Sequence, residues 1–476
     1  MRPDLDSRSA APRTRCLLLV LFAWLACANA TPFSERHAIA ITDVTVIDVE
    51  RGRSIGPRTV LVDDGRIVAI VAPNAADIPA NAEHLDGRGK FLIPGLVDLH
   101  VHLFNNYSHR PPNDWAFPLF IANGVTAVRE MNANAASVAI VQRWRKEFGA
   151  GELVAPRVVA AGISVHGKSP SEAAAQVNAA ADAGADFIKV FSDIPEPNWR
   201  AILDAARARS LPVSGHVPAG VSLLVAAAAG QRTDEHLMQA YEACSSIEGS
   251  LLDERRSLEG EALVAKRDEQ ESRALEAFAQ STCERVGKKL AGSGQVQVPT
   301  LVLAHEEATR GAEPARNDPR WRYLRADERA RWERNLAGVS SADDALAKRR
   351  WDVSRRIVSA FRSSGVQILA GTDTPMPGNY PGYSLHDELA LLVEAGFTSA
   401  EALRAATLAP SQFLGLAGTT GSVSKGQRAD LVLLDADPTR DIRNTQRIHA
   451  VLLDGRLLRR ADLDALLDNA ASAQAR

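Results

Sequence analysis

Short runs in which apolar, often β-branched residues alternate with polar ones lie near both ends of the chain. The first group covers residues 40–49, 59–62 and 67–71, separated by turns that contain glycine. A similar pattern returns at residues 429–435 and 448–455. Because alternation with a period of two is typical of strands with one buried face, these segments predict a small β domain built from both ends of the chain.

Between these ends, apolar runs of strand length alternate with stretches of helical character, which predicts parallel strands connected by helices. The candidate strands are residues 95–102, 126–130, 157–161, 186–191, 212–216, 232–236, 296–303 and 366–371. Eight such strands favour a barrel. We therefore predict an α/β fold, a (β/α)8 TIM-type barrel with a small composite β-sandwich domain from both termini.

The predicted domain boundaries follow from these patterns. Residues 31–92 and 418–460 would form the composite β-sandwich domain, and residues 93–417 the barrel. Two intervals, at about 242–294 and 305–364, are longer than a strand–helix unit needs and are rich in Arg, Glu and Ala. They are either solvated helical insertions with ordinary packing or a cap over the barrel mouth, since the loops after the strands form that face.

The first 30 residues differ from the rest of the chain. Two arginines precede an apolar run at residues 17–26, and small residues at 28–30 follow it. This arrangement is typical of a secretory signal peptide. The apolar run is shorter than the roughly 20 residues that span a bilayer, so a membrane anchor is less favoured, as is a lipid on Cys27. We predict an exported protein, periplasmic or secreted, without a membrane span.

Composition and charge narrow the function further. The 476 residues are 46% hydrophobic and carry a formal net charge of −3. Such a chain can bury a large core, but it lacks the basic surface with which proteins bind nucleic acid. Removal of the leader would leave two cysteines, Cys244 and Cys283, which could pair in an oxidising compartment. The sequence leaves both the paired and the free state open.

The first candidate for chemistry is a pair of histidines at the end of an apolar strand, His100 and His102. Side chains alternate along a strand, so both imidazoles point the same way and can hold one ion together. The alternative is two partly exposed histidines at a strand end. This pair needs support from other residues.

Four further strands carry a polar residue at or just after their carboxyl ends. Lys189 lies inside an apolar strand, where an unpaired charge is costly. The next two strands end in His216 and His236, and the last is followed by Asp373. In a parallel barrel all these ends converge on one rim. Six nitrogen or oxygen donors without thiolates suit zinc or a similar first-row ion.

These residues resemble the metal-binding set of the amidohydrolase superfamily. The resemblance rests on the order His100, His102, Lys189, His216, His236 and Asp373, on the residues around them at 94–100 and 370–373, and on residues 426–432 in the second β segment. It covers nearly the whole chain after the leader and is weakest in the two helical intervals.

The resemblance implies two divalent metal ions, with zinc expected. His100, His102 and Asp373 would bind one ion and His216 and His236 the other, and carbon dioxide would convert Lys189 into a carbamate between them. Two cations lower the pKa of a bridging water so that hydroxide is available near neutral pH, and one polarises the scissile carbonyl. Asp373 would then be the catalytic general acid and base.

Three residues are candidates for substrate contact. His166 follows the third strand, where enzymes of this superfamily often present a histidine to the substrate. Tyr107 and Arg110, in the loop after the histidine pair, could contact a substrate carboxylate. For each of them, the alternative is an ordinary polar residue of a loop.

Residues 377–396 resemble the subgroup of imidazolonepropionase-like proteins and prolidase-like dipeptidases. Lys189 favours the binuclear peptidases, because the mononuclear members lack this lysine, and export favours a peptide or acylated amino acid as substrate. We predict hydrolysis of an amide in a dipeptide or N-acyl amino acid. The alternatives are a lactone, ester, organophosphate or cyclic amide on the same metal site, and a non-catalytic scaffold. Assembly into a homo-oligomer stays open.

Overall fold

The structure is a computed structural model that describes residues 37–75, 77–104, 110–309, 315–336 and 341–474. The predicted leader and Tyr107 lie outside the described residues. Among the helices described, none is both long and apolar enough to cross a membrane.

The described strands and helices follow the alternation expected from the sequence. The strands are β1 (Ile39–Asp48), β2 (Arg53–Asp63), β3 (Arg66–Val71), β4 (Glu83–Asp86), β5 (Phe91–Pro94), β6 (Leu96–Val101), β7 (Val125–Ala133), β8 (Arg157–Ser164), β9 (Phe187–Val190), β10 (Val213–Gly215), β11 (Thr233–Glu235), β12 (Val296–Val298), β13 (Leu431–Leu434), β14 (Ile448–Leu453) and β15 (Arg456–Arg459). The helices are α1 (Phe117–Ala122), α2 (Ala135–Ala150), α3 (Pro170–Asp182), α4 (Glu196–Ala208), α5 (Leu223–Ala229), α6 (Met238–Ala243), α7 (Glu248–Glu254), α8 (Gly260–Glu276), α9 (Gln280–Ala291), α10 (Leu301–Thr309), α11 (Ala326–Leu336), α12 (Ser341–Ser363), α13 (Tyr383–Glu394), α14 (Ser399–Ala405), α15 (Leu408–Phe413) and α16 (Arg460–Gln474).

Strands from both ends of the chain form one sheet in the order β15-β14-β13-β5-β1-β2-β3, with β4 paired to β1. β13 pairs antiparallel with β5, so the C-terminal strands continue the sheet that the N-terminal strands begin. Its buried residues, among them Ile41, Val60 and Leu431, form a hydrophobic core of their own. The prediction that both ends join in one β-rich region is confirmed.

The second group of strands is parallel and curled. β6 to β10 are hydrogen-bonded in the order β10-β9-β8-β7-β6, and β11 pairs with β12. Arg232 N donates to Val213 O at 2.7 Å, which connects the start of β11 to β10. Leu369 N donates to Gln297 O at 3.0 Å, and residues 370–374 are hydrogen-bonded to β6 and the residues after it. The predicted α/β architecture of parallel strands and helices is confirmed.

The helices bury one face against this sheet. On α4, Trp199, Ile202, Leu203 and Ala206 are buried, at the spacing that places side chains on one side of a helix. The indole nitrogen of Trp199 donates to Gln231 Oε1 at 2.8 Å, so this large side chain is buried without losing its hydrogen bond.

Two predicted strands are shorter or less regular than expected. The strand predicted at 296–303 ends at Val298, because Pro299 has no amide hydrogen to extend the ladder and Thr300 has a positive φ of 45°. Helix α10 begins at Leu301. The strand predicted at 366–371 forms only isolated parallel bridges, through Ile368 and, beyond its predicted end, Thr374.

Both long intervals are helical in their described parts. The first contains α7, α8 and α9, and the second contains most of α10 together with α11 and α12. A disulfide joins Cys244, at the end of α6, to Cys283 on α9, with a Cα–Cα distance of 4.2 Å. It answers the question that the sequence left open about these two cysteines.

Candidate metal centre

Six polar side chains meet at the carboxyl ends of the curled sheet. They are His100 on β6, His102 just after it, Lys189 on β9, His216 after β10, His236 after β11 and Asp373 after the 366–371 segment. The His236 ring centroid lies 4.6 Å from that of His100 and 5.0 Å from that of His216. The structure thus brings the sequence-predicted ligands together, although metal binding by them stays a prediction.

The closest group within this set consists of His100, His102 and Asp373. One potential ligand atom from each lies within 4.8 Å of the others. Asp373 Oδ1 is 2.7 Å from His102 Nε2 and 3.1 Å from His100 Nε2. Within the described part of the chain, neither Asp373 Oδ1 nor His100 Nε2 has a hydrogen-bond partner of acceptable geometry. Buried donors that converge without bonding one another fit a site for a cation.

Hydrogen bonds at Nδ1 orient two of the imidazoles. His100 Nδ1 donates to the Glu235 carboxylate at 2.8 Å, since an ionised carboxylate can only accept. The Thr300 hydroxyl donates to Pro299 O and therefore accepts from His236 Nδ1 at 2.8 Å. In both rings Nε2 therefore keeps its lone pair, and Nε2 is the atom that binds a metal when Nδ1 is protonated.

Lys189 is fully buried, and its amine has no hydrogen-bond partner among the described residues. The nitrogen lies 4.9 Å from the centre of the Phe191 ring. Burial lowers the pKa of the Lys189 amine to about 8. A larger share of this amine is therefore neutral near pH 7 than for an exposed lysine, and a neutral amine is a nucleophile.

Burial and neighbouring charges shift the pKa values of other candidate ligands. It lowers the pKa of His236 to about 3 and that of His216 well below its usual value, with the nearby Lys189 contributing to both. Burial alone would raise the pKa of Asp373, but the adjacent His102 and His100 outweigh it and hold that pKa well below its usual range. Neutral imidazoles and an ionised carboxylate are the forms that bind metal ions.

A buried ion pair that the sequence reasoning missed lies beneath the centre. Arg129 Nη2 donates to Glu235 Oε1 at 2.8 Å, and both side chains are almost completely buried. Burial would raise the pKa of Glu235, but Arg129 and His100 outweigh it and lower that pKa. Arg129 inside the largely apolar strand β7 was the signal that could have revealed this pair.

A cavity of about 820 Å³ opens above the centre. Its floor includes His102, Lys189, His216, His236 and Asp373, and its walls include Arg267 and Glu271 of α8, Arg331 of α11 and Arg350 of α12. Both helical intervals therefore contribute side chains to the cavity, which favours the cap over the alternative of insertions with no role at the site.

The predicted substrate contacts are placed elsewhere. His166 is 43% exposed, stacks on Phe191 with a centroid distance of 5.2 Å, and lies 3.6 Å from Asp193 Oδ2. Arg110 binds the carboxylates of Asp327 and Glu328 on α11. Among the described residues that line the cavity, neither His166 nor Arg110 is present.

Comparison with known proteins found a match to one family model and similarity to solved structures. Residues 326–458, which include Asp373, match the model of the amidohydrolase family. The bottromycin amidohydrolase is 25% identical, with a TM-score of 0.70 over 92% of this chain and 90% of that chain. A candidate prolidase from Bifidobacterium longum is also 25% identical, with a TM-score of 0.63 over 92% of this chain and 100% of that chain.

Curated relatives match over much shorter stretches. A dihydroorotase from Carboxydothermus hydrogenoformans is 39% identical over 93 residues, which are 19% of this chain and 20% of that protein. In six such relatives, a deacetylase and five dihydroorotases, the matched region spans only 13% to 20% of their own length.

Proposed function

We propose that this chain, which belongs to the amidohydrolase superfamily, is a metal-dependent hydrolase that cleaves the amide bond of a dipeptide or N-acyl amino acid. One observation carries the proposal: the floor of a cavity of about 820 Å³ includes Lys189 Nζ, His102 Nδ1 and Asp373 Oδ1, buried atoms without hydrogen-bond partners among the described residues. Cavities of about 300–1,000 Å³ are typical of small-molecule sites.

We assign the metal ligands as the family resemblance implies. His100, His102 and Asp373 would bind one ion and His216 and His236 a second, with Lys189 as a carbamate between them. The buried amine of Lys189, which has no hydrogen-bond partner in the described part of the chain, supports this carbamate. When bound, two divalent cations supply Lewis acidity to a water and to the scissile carbonyl.

The protein's own groups orient the site and move the proton. Glu235 and Thr300 hold two imidazoles through Nδ1, so that their Nε2 atoms face the centre. Asp373 is ionised and lines the cavity, and its second oxygen, Oδ2, can accept a proton from the attacking water. The same carboxyl would then donate that proton to the leaving nitrogen, which must depart as an amine.

A substrate panel with zinc and bicarbonate supplied tests this proposal. Dipeptides and N-acyl amino acids should give the largest kcat/KM among a set that also contains lactones, aryl esters and organophosphates, and chelation should abolish the activity. Turnover of esters or lactones without any amide would favour the alternative substrate class. No turnover, with fewer than about one bound ion per chain, would favour a scaffold.

A cyclic amide is a second candidate substrate, because a segment of this chain is 39% identical to a dihydroorotase over 93 residues. The same centre could attack an amide inside a ring, since one fold hosts several related reactions. Dihydroorotate and simple hydantoins therefore belong in the panel. Hydrolysis of these rings at a higher kcat/KM than any linear amide would make the cyclic amide the preferred substrate class.

We also propose that residues 1–30 are a leader that directs export. The Cys244–Cys283 disulfide supports an oxidising compartment, where such bonds persist. Mass spectrometry of the protein produced with its full sequence should give an N-terminus at Thr31 in the exported fraction. Recovery of the uncleaved chain inside the cell alone would contradict export.

A further inference from the structure

An excess of positive charge surrounds the start of α11. Arg325 donates to Asp327 at 2.7 Å, and Arg110 binds both Asp327 and Glu328 at 2.7 and 2.8 Å. Arg331 Nε donates to the second oxygen of Glu328, also at 2.8 Å. Among the described residues, three guanidinium groups thus share two carboxylates, and this α11 charge cluster of Arg110, Arg325, Arg331, Asp327 and Glu328 has one cation more than it has anions.

Arg331 is the member of the cluster that lines the cavity in the described part of the chain. Its Nη2 donates to the backbone oxygen of Pro375 at 2.8 Å, while Nη1 lies 3.9 Å from the sulfur of Met376. A thioether is a weak acceptor, so Nη1 keeps donor capacity toward the cavity. Because Pro375 is two residues from Asp373, its bond to Arg331 holds the guanidinium within about 13 Å of the Asp373 Cα.

The other two arginines of the cavity wall are more fully neutralised. Arg350 directs all three of its nitrogens at the carboxylates of Glu271 and Glu307. Arg267 directs Nε and Nη2 at Asp268, a carboxylate that it does not share with another arginine among the ion pairs described. Its Nη1, like that of Arg331, has only a thioether contact in the described part of the chain, Met238 Sδ at 3.7 Å, so the two arginines differ in charge balance and not in donor capacity. Arg331 differs from both, because Glu328 is shared with Arg110.

We propose that Arg331 binds the carboxylate of the substrate and so selects amides that carry a free C-terminal carboxylate. This inference rests on the proposed function for the reaction but concerns recognition alone. Glu328 and the Pro375 carbonyl hold the guanidinium in place before substrate arrives, and a planar guanidinium matches a carboxylate. Arg331 would thus bind the substrate carboxylate, the role that the sequence predicts for Arg110, and both arginines contact Glu328.

A binding measurement with ligands that are not hydrolysed tests this inference separately from the proposed reaction. The probes are N-methanesulfonyl-L-leucine, whose sulfonamide resists hydrolysis, and its neutral carboxamide, measured by calorimetry on the metal-loaded protein. The wild type should bind the carboxylate probe roughly 10- to 100-fold more tightly, the range of a charge-assisted hydrogen bond. Arg331→Met should reduce that ratio to within about threefold of unity. It should fold, because Glu328 keeps its contact with Arg110.

Arg267→Met is the matched control, since it also removes an arginine from the cavity wall, but one whose carboxylate, Asp268, is shared with no other arginine among the ion pairs described. It should keep the wild-type preference for the carboxylate probe. Equal binding of both probes by the wild type, or an unchanged preference in Arg331→Met, would overturn the inference. Arg331-dependent binding without hydrolysis of any amide would uphold it and reject the proposed function instead.

Discussion

The floor and the roof of the cavity differ in how far their polar side chains are buried and hydrogen-bonded. On the floor, at the carboxyl ends of the strands, the Lys189 and Asp373 side chains are buried and hold atoms without hydrogen-bond partners among the described residues. On the roof, formed by α8, α10, α11 and α12, charges are paired and partly exposed, as in the Arg350–Glu307 pair at 24% and 48%. The floor is arranged to bind ions, whereas the roof is held by its own ion pairs.

The largest effect should follow from Asp373→Asn on the floor. It removes both the proton acceptor and a candidate ligand, so kcat/KM should fall by a factor of at least 10² to 10⁴, roughly the contribution of a general base. Steady-state kinetics and metal analysis of the same preparation would measure both losses.

Asp268→Asn is the corresponding change on the roof, because Asp268 also lines the cavity but is 62% exposed and pairs with Arg267. We expect less than about a tenfold loss, since an exposed pair contributes little. If both variants lost activity equally, the distinction between floor and roof would fail.

Glu235→Gln should be the most destabilising change. It leaves Arg129 buried at 1% exposure without its anion, which typically costs about 3–5 kcal/mol. Urea unfolding of the metal-free protein measures this cost apart from any loss of metal. Glu196→Gln is the control, as its pair with Arg200 is exposed and should change stability by about 0.5 kcal/mol or less. A small effect at Glu235 would show that this pair is not essential to the floor.

Loss of the disulfide should affect the roof without affecting the floor. The bond closes a segment of 39 residues, and its removal in Cys244→Ala with Cys283→Ala should cost about 2–4 kcal/mol. Reductant should lower the melting temperature of the wild type and leave the double variant unchanged. A parallel loss of bound metal would show that the two regions are coupled more tightly than we propose.

A pH-dependent effect on stability is expected at Glu388 of α13, which accepts a hydrogen bond from Val302 N at the start of α10. Burial raises the pKa of Glu388 to about 8, from an ordinary value of 4.5. Between pH 4.5 and pH 8 the folded protein therefore keeps a proton on Glu388 that the unfolded chain releases. Its stabilisation is complete below pH 4.5 and is lost as the pH rises through 8, by at most about 1.4 kcal/mol per pH unit.

Glu388→Gln tests this pH dependence, because glutamine can still accept from Val302 N but does not titrate. The difference in unfolding free energy between wild type and variant should shift against the wild type from pH 5.5 to 7.5. A constant difference across that range would mean that Glu388 does not titrate there.

Local patterns were enough to predict the elements and the candidate ligands. Alternation along a strand places His100 and His102 on one side, and the convergence of parallel strand ends accounts for the meeting with His216, His236 and Asp373. The same reasoning was wrong about the extent of the 296–303 strand, where backbone conformation at Thr300 and a side chain from α13 start a helix instead.

What the sequence by itself determined is therefore the order of strands and helices and the polar residues at the strand ends, because these depend on neighbours along the chain. Only the tertiary structure decided how charges pair across long separations. Arg110 is close to the histidine pair in sequence, yet its guanidinium is bound by Asp327, 217 residues away. Among the described arginines that bind Glu328, it is Arg331 and not Arg110 that lines the cavity, since ion pairs depend on how the insertions pack rather than on any local period.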